Sequence, residues 1–140
     1  MKKVAVVYYS GTGNTEAMAS IIRDSLKGKA DGSLIECTSF SPSMVNEYDA
    51  FAFGCPAMGN EELEEESFEP MFTQLEPSLS GKDVVLFGSY GWGDGEWMRS
   101  WTERCIADSV NLKCESVICL EAPDGETEKA LQVEAEALIA

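Results

Sequence analysis

With 140 residues, 44% of them hydrophobic, the chain is long enough to bury one core, and no shift in composition marks a second domain, so residues 1–140 are expected to form one. Twenty-five acidic against 10 basic residues give a net charge of -15, which argues against nucleic acid and anionic membrane as partners and points to basic protein surfaces. There is no histidine, so the usual general base, the Ser-His and Cys-His nucleophile pairs and the commonest zinc ligand are all missing.

Lys2 and Lys3 precede Val4-Ala5-Val6-Val7-Tyr8-Tyr9, an apolar run rich in β-branched and aromatic residues that reads as a strand buried on both faces of a parallel sheet. The run stops after six residues in Ser10-Gly11-Thr12-Gly13, too short for the apolar region of a signal peptide or for a membrane span, and a cytoplasmic protein is expected. Met18, Ile21, Ile22 and Leu26 then recur at helical spacing, which starts a helix near Thr15 or Glu16. Strand, glycine turn and helix start together aim free backbone N–H groups and the positive end of a helix dipole at an anion. Ser10, Thr12, Asn14 and Thr15 add neutral donors, Gly11 and Gly13 permit a close backbone approach, and no Lys or Arg lies between Lys3 and Arg23. A Walker A loop would need a Lys here, and a dinucleotide fingerprint would need a third small residue where Glu16 stands. The competing reading is an ordinary strand-to-helix turn rich in capping residues.

Further along, Leu34-Ile35-Glu36-Cys37 reads as a second strand, a helical turn is expected near Met44 to Tyr48, and Ala50-Phe51-Ala52-Phe53-Gly54-Cys55 reads as a third strand. A helix is expected from about Ser67 to Leu79, with Pro70 tolerated in its first turn. Asp83 to Ser89 is a fourth strand, followed by a helix carrying Trp97, Met98, Trp101, Cys105 and Ile106. Val117-Ile118-Cys119-Leu120 is a fifth strand, and a last helix has Leu131, Ala135 and Leu138 at helical spacing. This alternation predicts an α/β fold, a parallel sheet covered by helices on both faces, with ligands bound beyond the carboxyl ends of the strands. The five cysteines form no C-x-x-C pair and mostly sit in apolar segments, so buried thiols are expected.

Two further loops would meet a ligand at that edge. Ser89-Tyr90-Gly91-Trp92-Gly93-Asp94-Gly95 sets two large aromatics among three glycines, where each either lies against a planar ligand or folds back on the core. Cys55-Pro56-Ala57-Met58-Gly59-Asn60-Glu61 sets an adaptable thioether beside a Gly-Asn pair suited to a tight turn with positive φ. Beyond it Glu61, Glu62, Glu64, Glu65, Glu66 and Glu69 crowd together without the spacing of a calcium loop, and a solvated acidic face is expected, with no metal site.

Taken in order over essentially the whole chain, Ser10-Gly11-Thr12-Gly13-Asn14-Thr15, Cys55-Pro56-Ala57-Met58-Gly59 and Leu86-Phe87-Gly88-Ser89-Tyr90-Gly91-Trp92-Gly93-Asp94-Gly95 resemble the motifs of short-chain flavodoxins of the clostridial type. The resemblance implies a three-layer, doubly wound, five-stranded parallel sheet of strand order 2-1-3-4-5. It implies a non-covalently bound FMN whose phosphate sits on Ser10, Thr12, Asn14 and Thr15 of the first loop, with Gly11 and Gly13 between them and Ser89 adding a hydroxyl. Pro56, Ala57, Met58, Gly59, Asn60 and Glu61, with Tyr90, Gly91, Trp92 and Gly93, would surround the flavin. Met58 would cover one face and Trp92 the other, the Gly59-Asn60 peptide would meet N5, and Glu61 would accept from N3.

By the same likeness the chain is a low-potential one-electron carrier, not a catalyst, cycling between semiquinone and hydroquinone. Gly59 is expected at the first central position of a type II′ turn whose peptide rotates with redox state, a rotation that proline at Gly59 would block. Short-chain relatives often carry an acidic residue where this chain has Asn60. The expected partners are basic faces of redox proteins, met transiently by a monomer. A flavin-dependent reductase or quinone oxidoreductase is the alternative on this scaffold, and it would need added segments over the flavin. A signalling receiver domain would need acidic residues where Tyr9-Ser10-Gly11 and Gly54-Cys55 stand.

Overall fold

The computed structural model describes residues 1–140. Six parallel strands, β1 (Lys3–Tyr8), β2 (Asp31–Glu36), β3 (Ala50–Gly54), β4 (Asp83–Tyr90), β5 (Asn111–Leu112) and β6 (Val117–Leu120), alternate with four helices. The helices are α1 (Asn14–Ser25), α2 (Phe68–Leu75), α3 (Glu96–Ala107) and α4 (Gly125–Ile139). The strand order is β2-β1-β3-β4-β5, with β6 also pairing to β4, so the fifth position of the 2-1-3-4-5 order holds two short strands, not one. β5 pairs with Asp83 and Val84 at the start of β4, and β6 with Phe87–Tyr90 at its end.

Strand periodicity sorts the core into two. Ala5, Val7, Phe51, Phe53, Val84 and Leu86 face the layer of α2 and α3, where they meet Phe68, Phe72, Trp97 and Trp101. Their neighbours Val4, Val6, Ala50, Ala52, Val85 and Phe87 face α1 and α4, against Met18, Ile22, Leu131 and Leu138. Fully burying one such Leu, Ile or Phe side chain contributes about 1.5–3 kcal/mol, so each helix layer is held chiefly by its apolar stripe. All five cysteines are free, four of them buried and Cys114 half-buried. No helix is long and apolar enough to cross a membrane.

Several boundaries differ from the sequence reading. β2 starts at Asp31 and stops at Glu36, and Cys37 already belongs to a 3-10 turn, Cys37–Ser39. The turn expected near Met44 is a 3-10 helix spanning Pro42–Glu47. The helix expected to reach Leu79 ends as an α-helix at Leu75 and continues as a 3-10 turn, Glu76–Ser78. The cause is Pro77, which has no N–H to give the helix ladder and whose ring would clash with the carbonyl four residues back.

Candidate cofactor-binding site

The pairing Tyr8↔Gly54, Gly54↔Phe87 and Tyr90↔Leu120 brings the carboxyl ends of β1, β3, β4 and β6 to one edge. A cleft of about 400 Å³ opens there. Thr12 and Asn14 line it from the first loop, Pro56 and Ala57 from the second, Ser89, Tyr90 and Gly91 from the third, and Glu121 and Ala122 from the turn between β6 and α4. No Lys or Arg lines it.

The first loop wraps on itself. Ser10 Oγ accepts from Gly13 N at 3.0 Å, and Thr12 Oγ1 from Asn14 N at 3.5 Å. Gly13 stands at the N-cap of α1 with φ 98°, and no side chain caps the helix. An uncapped helix start behind a polar, cation-free loop suits an anion bound by amides and hydroxyls. Thr15 is buried, and its Oγ1 accepts from Ser89 N at 3.4 Å, joining the first loop to the third. The Ser89 hydroxyl, expected to serve a phosphate, donates to the Glu121 carbonyl.

In the second loop Met58 O accepts from Glu61 N at 2.9 Å and Met58 N donates to Glu62 O at 3.0 Å. Neither Gly59 nor Asn60 has a positive φ, whereas Glu61 has φ 59°. The turn over Met58–Glu61 is therefore type I followed by a left-handed residue, not type II′ with positive φ at Gly59. A residue other than glycine in that conformation is strained by about 1–2 kcal/mol, and Glu61 turns its carboxylate inward. Its Oε2 accepts from Trp97 N at 3.2 Å at the start of α3, while Oε1 is buried with no partner. A buried carboxylate oxygen left without a donor is costly, and a ring N–H from a bound cofactor would satisfy it.

The acidic stretch is not a uniform solvated face. Glu64 is buried, and its carboxylate accepts from the amides of Glu66, Ser67 and Phe68, each at 2.8 Å, closing the start of α2. Glu69 pairs with Arg104 at 2.8 and 2.7 Å. Only Glu62, Glu65 and Glu66 of the six are exposed. No group of three or more candidate ligands could hold a metal ion.

The aromatics of the third loop divide. Tyr90 is half-buried with its ring 5.6 Å from that of Trp97, while Trp92 is 62% exposed. Met58 is exposed as well, and neither Met58 nor Trp92 lines the cleft itself; Asn60 and Glu61 do not line it either, but border a second hollow with Trp97 and Arg104. Two large apolar side chains left uncovered on adjacent loops are what a flat apolar ligand would shield. The residues that sequence reasoning missed are Glu121 and Ala122. Glu121 has φ 58°, and its amide donates to Tyr90 O at 2.8 Å. Its only signal in the sequence was its position just after the last strand.

The donor set fits FMN: an amide-rich cradle without a cation for a phosphate, an orphaned buried acceptor for a ring N–H, and uncovered apolar side chains for a planar ring. The flavodoxin family model matches residues 6–133. The flavodoxin of Megasphaera elsdenii is 48% identical over 128 residues, covering 89% of this chain and 91% of that protein. The flavodoxin of Clostridium beijerinckii is 46% identical over 100 residues, 71% of this chain and 72% of its own. The solution structure of two-electron reduced Megasphaera elsdenii flavodoxin superposes with a TM-score of 0.86 at 43% identity, covering 95% of this chain and 98% of that one. The strand order found here, itself a standing example of ligand binding at the switch point of an open sheet, agrees with that match. The chain therefore belongs to the flavodoxin family of FMN-binding electron carriers.

Proposed function

We propose that residues 1–140 act as one FMN-binding domain that delivers electrons singly and at low potential. The observation that carries this reading is the pairing of a cation-free phosphate cradle with the orphaned, buried Glu61 Oε1. FMN, when bound, supplies one-electron redox chemistry. The chain's own groups fix its energetics. Ser10, Gly11, Thr12, Gly13, Asn14 and Thr15 hold the phosphate end with neutral donors. Ser89 lines the same cleft, while Pro56, Ala57, Met58, Gly59, Asn60 and Glu61 would flank the ring from one loop and Tyr90, Gly91, Trp92 and Gly93 from the other.

No cation stands at the cleft to offset added negative charge. One carboxylate about 10 Å from such a charge, at an effective dielectric of about 20, opposes it by roughly 1.7 kcal/mol, or about 70 mV for a one-electron step. Several carboxylates acting together set the second potential well below that of free FMN. The exposed Glu62, Glu65 and Glu66 supply the field that steers basic faces of redox partners into brief encounters with a monomeric, cytoplasmic carrier.

Potentiometric titration of the FMN-loaded protein tests this. Two separate one-electron steps, the second below that of free FMN, are expected. A single two-electron step at the potential of free FMN would refute the reading.

A further inference from the structure

We infer that Trp97, which does not line the cleft, is the positioning residue that holds the Met58–Glu61 turn and thereby sets the gap between the two one-electron potentials. This rests on the carrier reading above. Trp97 is 1% exposed, the second residue of α3, and grips the second loop at two points. Its backbone N donates to Glu61 Oε2 at 3.2 Å, and its indole Nε1 donates to the Cys55 carbonyl at 3.0 Å.

The loop is also fastened at its base. Cys55 Sγ accepts from Glu64 N at 3.4 Å and donates to the Pro56 carbonyl at 3.6 Å, and burial keeps that thiol protonated. Between these fixed points only the turn around Gly59 and Asn60 is free. Both residues are exposed, and nothing lies within 4 Å of where a Cβ on Gly59 would sit. The loop is thus a short movable turn on a rigid base, and the indole N–H is the base's link to α3.

Removing that N–H leaves the buried Cys55 carbonyl without its donor, and the base then relaxes in ways that mix the turn's orientations. Neutral hydrogen bonds contribute about 0.5–1.5 kcal/mol net, so the expected effects are about two- to tenfold.

The test replaces Trp97 with β-(3-benzothienyl)alanine, which keeps the ring shape and loses only the N–H, and in parallel makes Trp97→Phe. Trp101→Phe is the control: Trp101 lies on the same helix, is equally buried, and its Nε1 has no partner. Three quantities are read: amide hydrogen exchange at Met58 and Glu61 in the FMN-free protein, the FMN dissociation constant, and the two one-electron potentials. In the benzothienyl variant, exchange at both amides is expected to rise about fivefold, FMN to bind several-fold more weakly, and the potentials to move together. Trp101→Phe is expected to leave exchange and the potential gap unchanged.

The inference is overturned if exchange and the gap are unchanged in the benzothienyl variant, or if Trp101→Phe moves them equally. If the parent protein fails to bind FMN, the carrier reading fails by itself. The exchange measurement on the FMN-free protein still decides whether the clamp exists.

Discussion

Gly93 and Glu61 sit so close that a Cβ on Gly93 would overlap Glu61 Oε1, the one carboxylate oxygen of the site that is buried without a partner. The second and third loops therefore meet at an atom that no group of the chain satisfies. Gly93 also has φ 88°, a conformation that costs a residue with a Cβ about 1 kcal/mol. Gly93→Ala should lower the stability of the FMN-free protein by about 1 kcal/mol and, by displacing the carboxylate, weaken FMN binding by about tenfold. Urea denaturation and a flavin fluorescence titration measure the two effects separately.

If the Gly59-Asn60 peptide rotates with redox state, the turn type puts the conformational demand on a different residue from the one the sequence suggests. Rotating the central peptide of a type I turn gives type II, which places the positive φ on the third residue, Asn60. Proline at Gly59 has a φ that suits both types, so Gly59→Pro should leave the gap between the two potentials nearly unchanged. Asn60→Val, a β-branched residue resisting positive φ, should narrow it by the equivalent of about 1–2 kcal/mol. Potentiometry on both variants distinguishes the turn seen here from a type II′ turn, which predicts a large effect at Gly59.

Glu64 closes α2 with three amide contacts that no water could replace at a buried position. Glu64→Ala should cost about 2 kcal/mol, and Glu64→Gln less, since an amide oxygen still accepts. Losing the carboxylate also frees the backbone around residue 64, whose amide donates to Cys55 Sγ at the base of the second loop, so the Ala variant should also bind FMN more weakly. Equal denaturation midpoints for Glu64→Ala and the parent would contradict this role.

Stability should depend on pH through Glu134, far from the cleft. Glu134 is fully buried in α4, neither carboxylate oxygen has a hydrogen-bond partner, and the Cys114 thiol is close enough to feel its charge. Burial pushes its carboxyl well above the ordinary range, and the nearby Val117 amide offsets little of this. The folded chain then holds a proton that the unfolded chain releases. This contribution is complete below the ordinary carboxylate range and is lost as pH rises toward the folded value, at up to about 1.4 kcal/mol per pH unit. Glu134→Gln should flatten that slope, which thermal unfolding between pH 5 and 8 would show as a smaller loss of Tm than in the parent. Identical slopes would rule the effect out.

Much of this molecule can be read directly from its residues because strand and helix periodicities differ. Val4 to Tyr8 and Ala50 to Gly54 are buried on both sides and run apolar without a break, and Met18, Ile22 and Leu26 mark one stripe of α1. The three ligand loops were legible because they carry glycines and aromatics that a core does not need. What escaped was set by tertiary contacts. Glu61 and Glu64 look like their exposed neighbours Glu62 and Glu65, and only the amides of α2 and α3 make them internal. The Met58–Glu61 turn was mistaken because Gly-Asn suits several turn types, and the closing pair Met58 and Glu62 decides among them. Glu121 was missed because its role depends on Ser89 and Tyr90, some thirty residues earlier.

Titration of the flavin-free protein with FMN and, in parallel, with riboflavin, followed by quenching of flavin fluorescence, goes straight to the site. The geometry predicts one equivalent of FMN bound per chain, with riboflavin at least about 100-fold weaker, because two or more hydrogen bonds to a charged phosphate are lost with it. Absence of quenching by FMN, or equal affinity for the two flavins, would contradict the cation-free loop as the phosphate anchor.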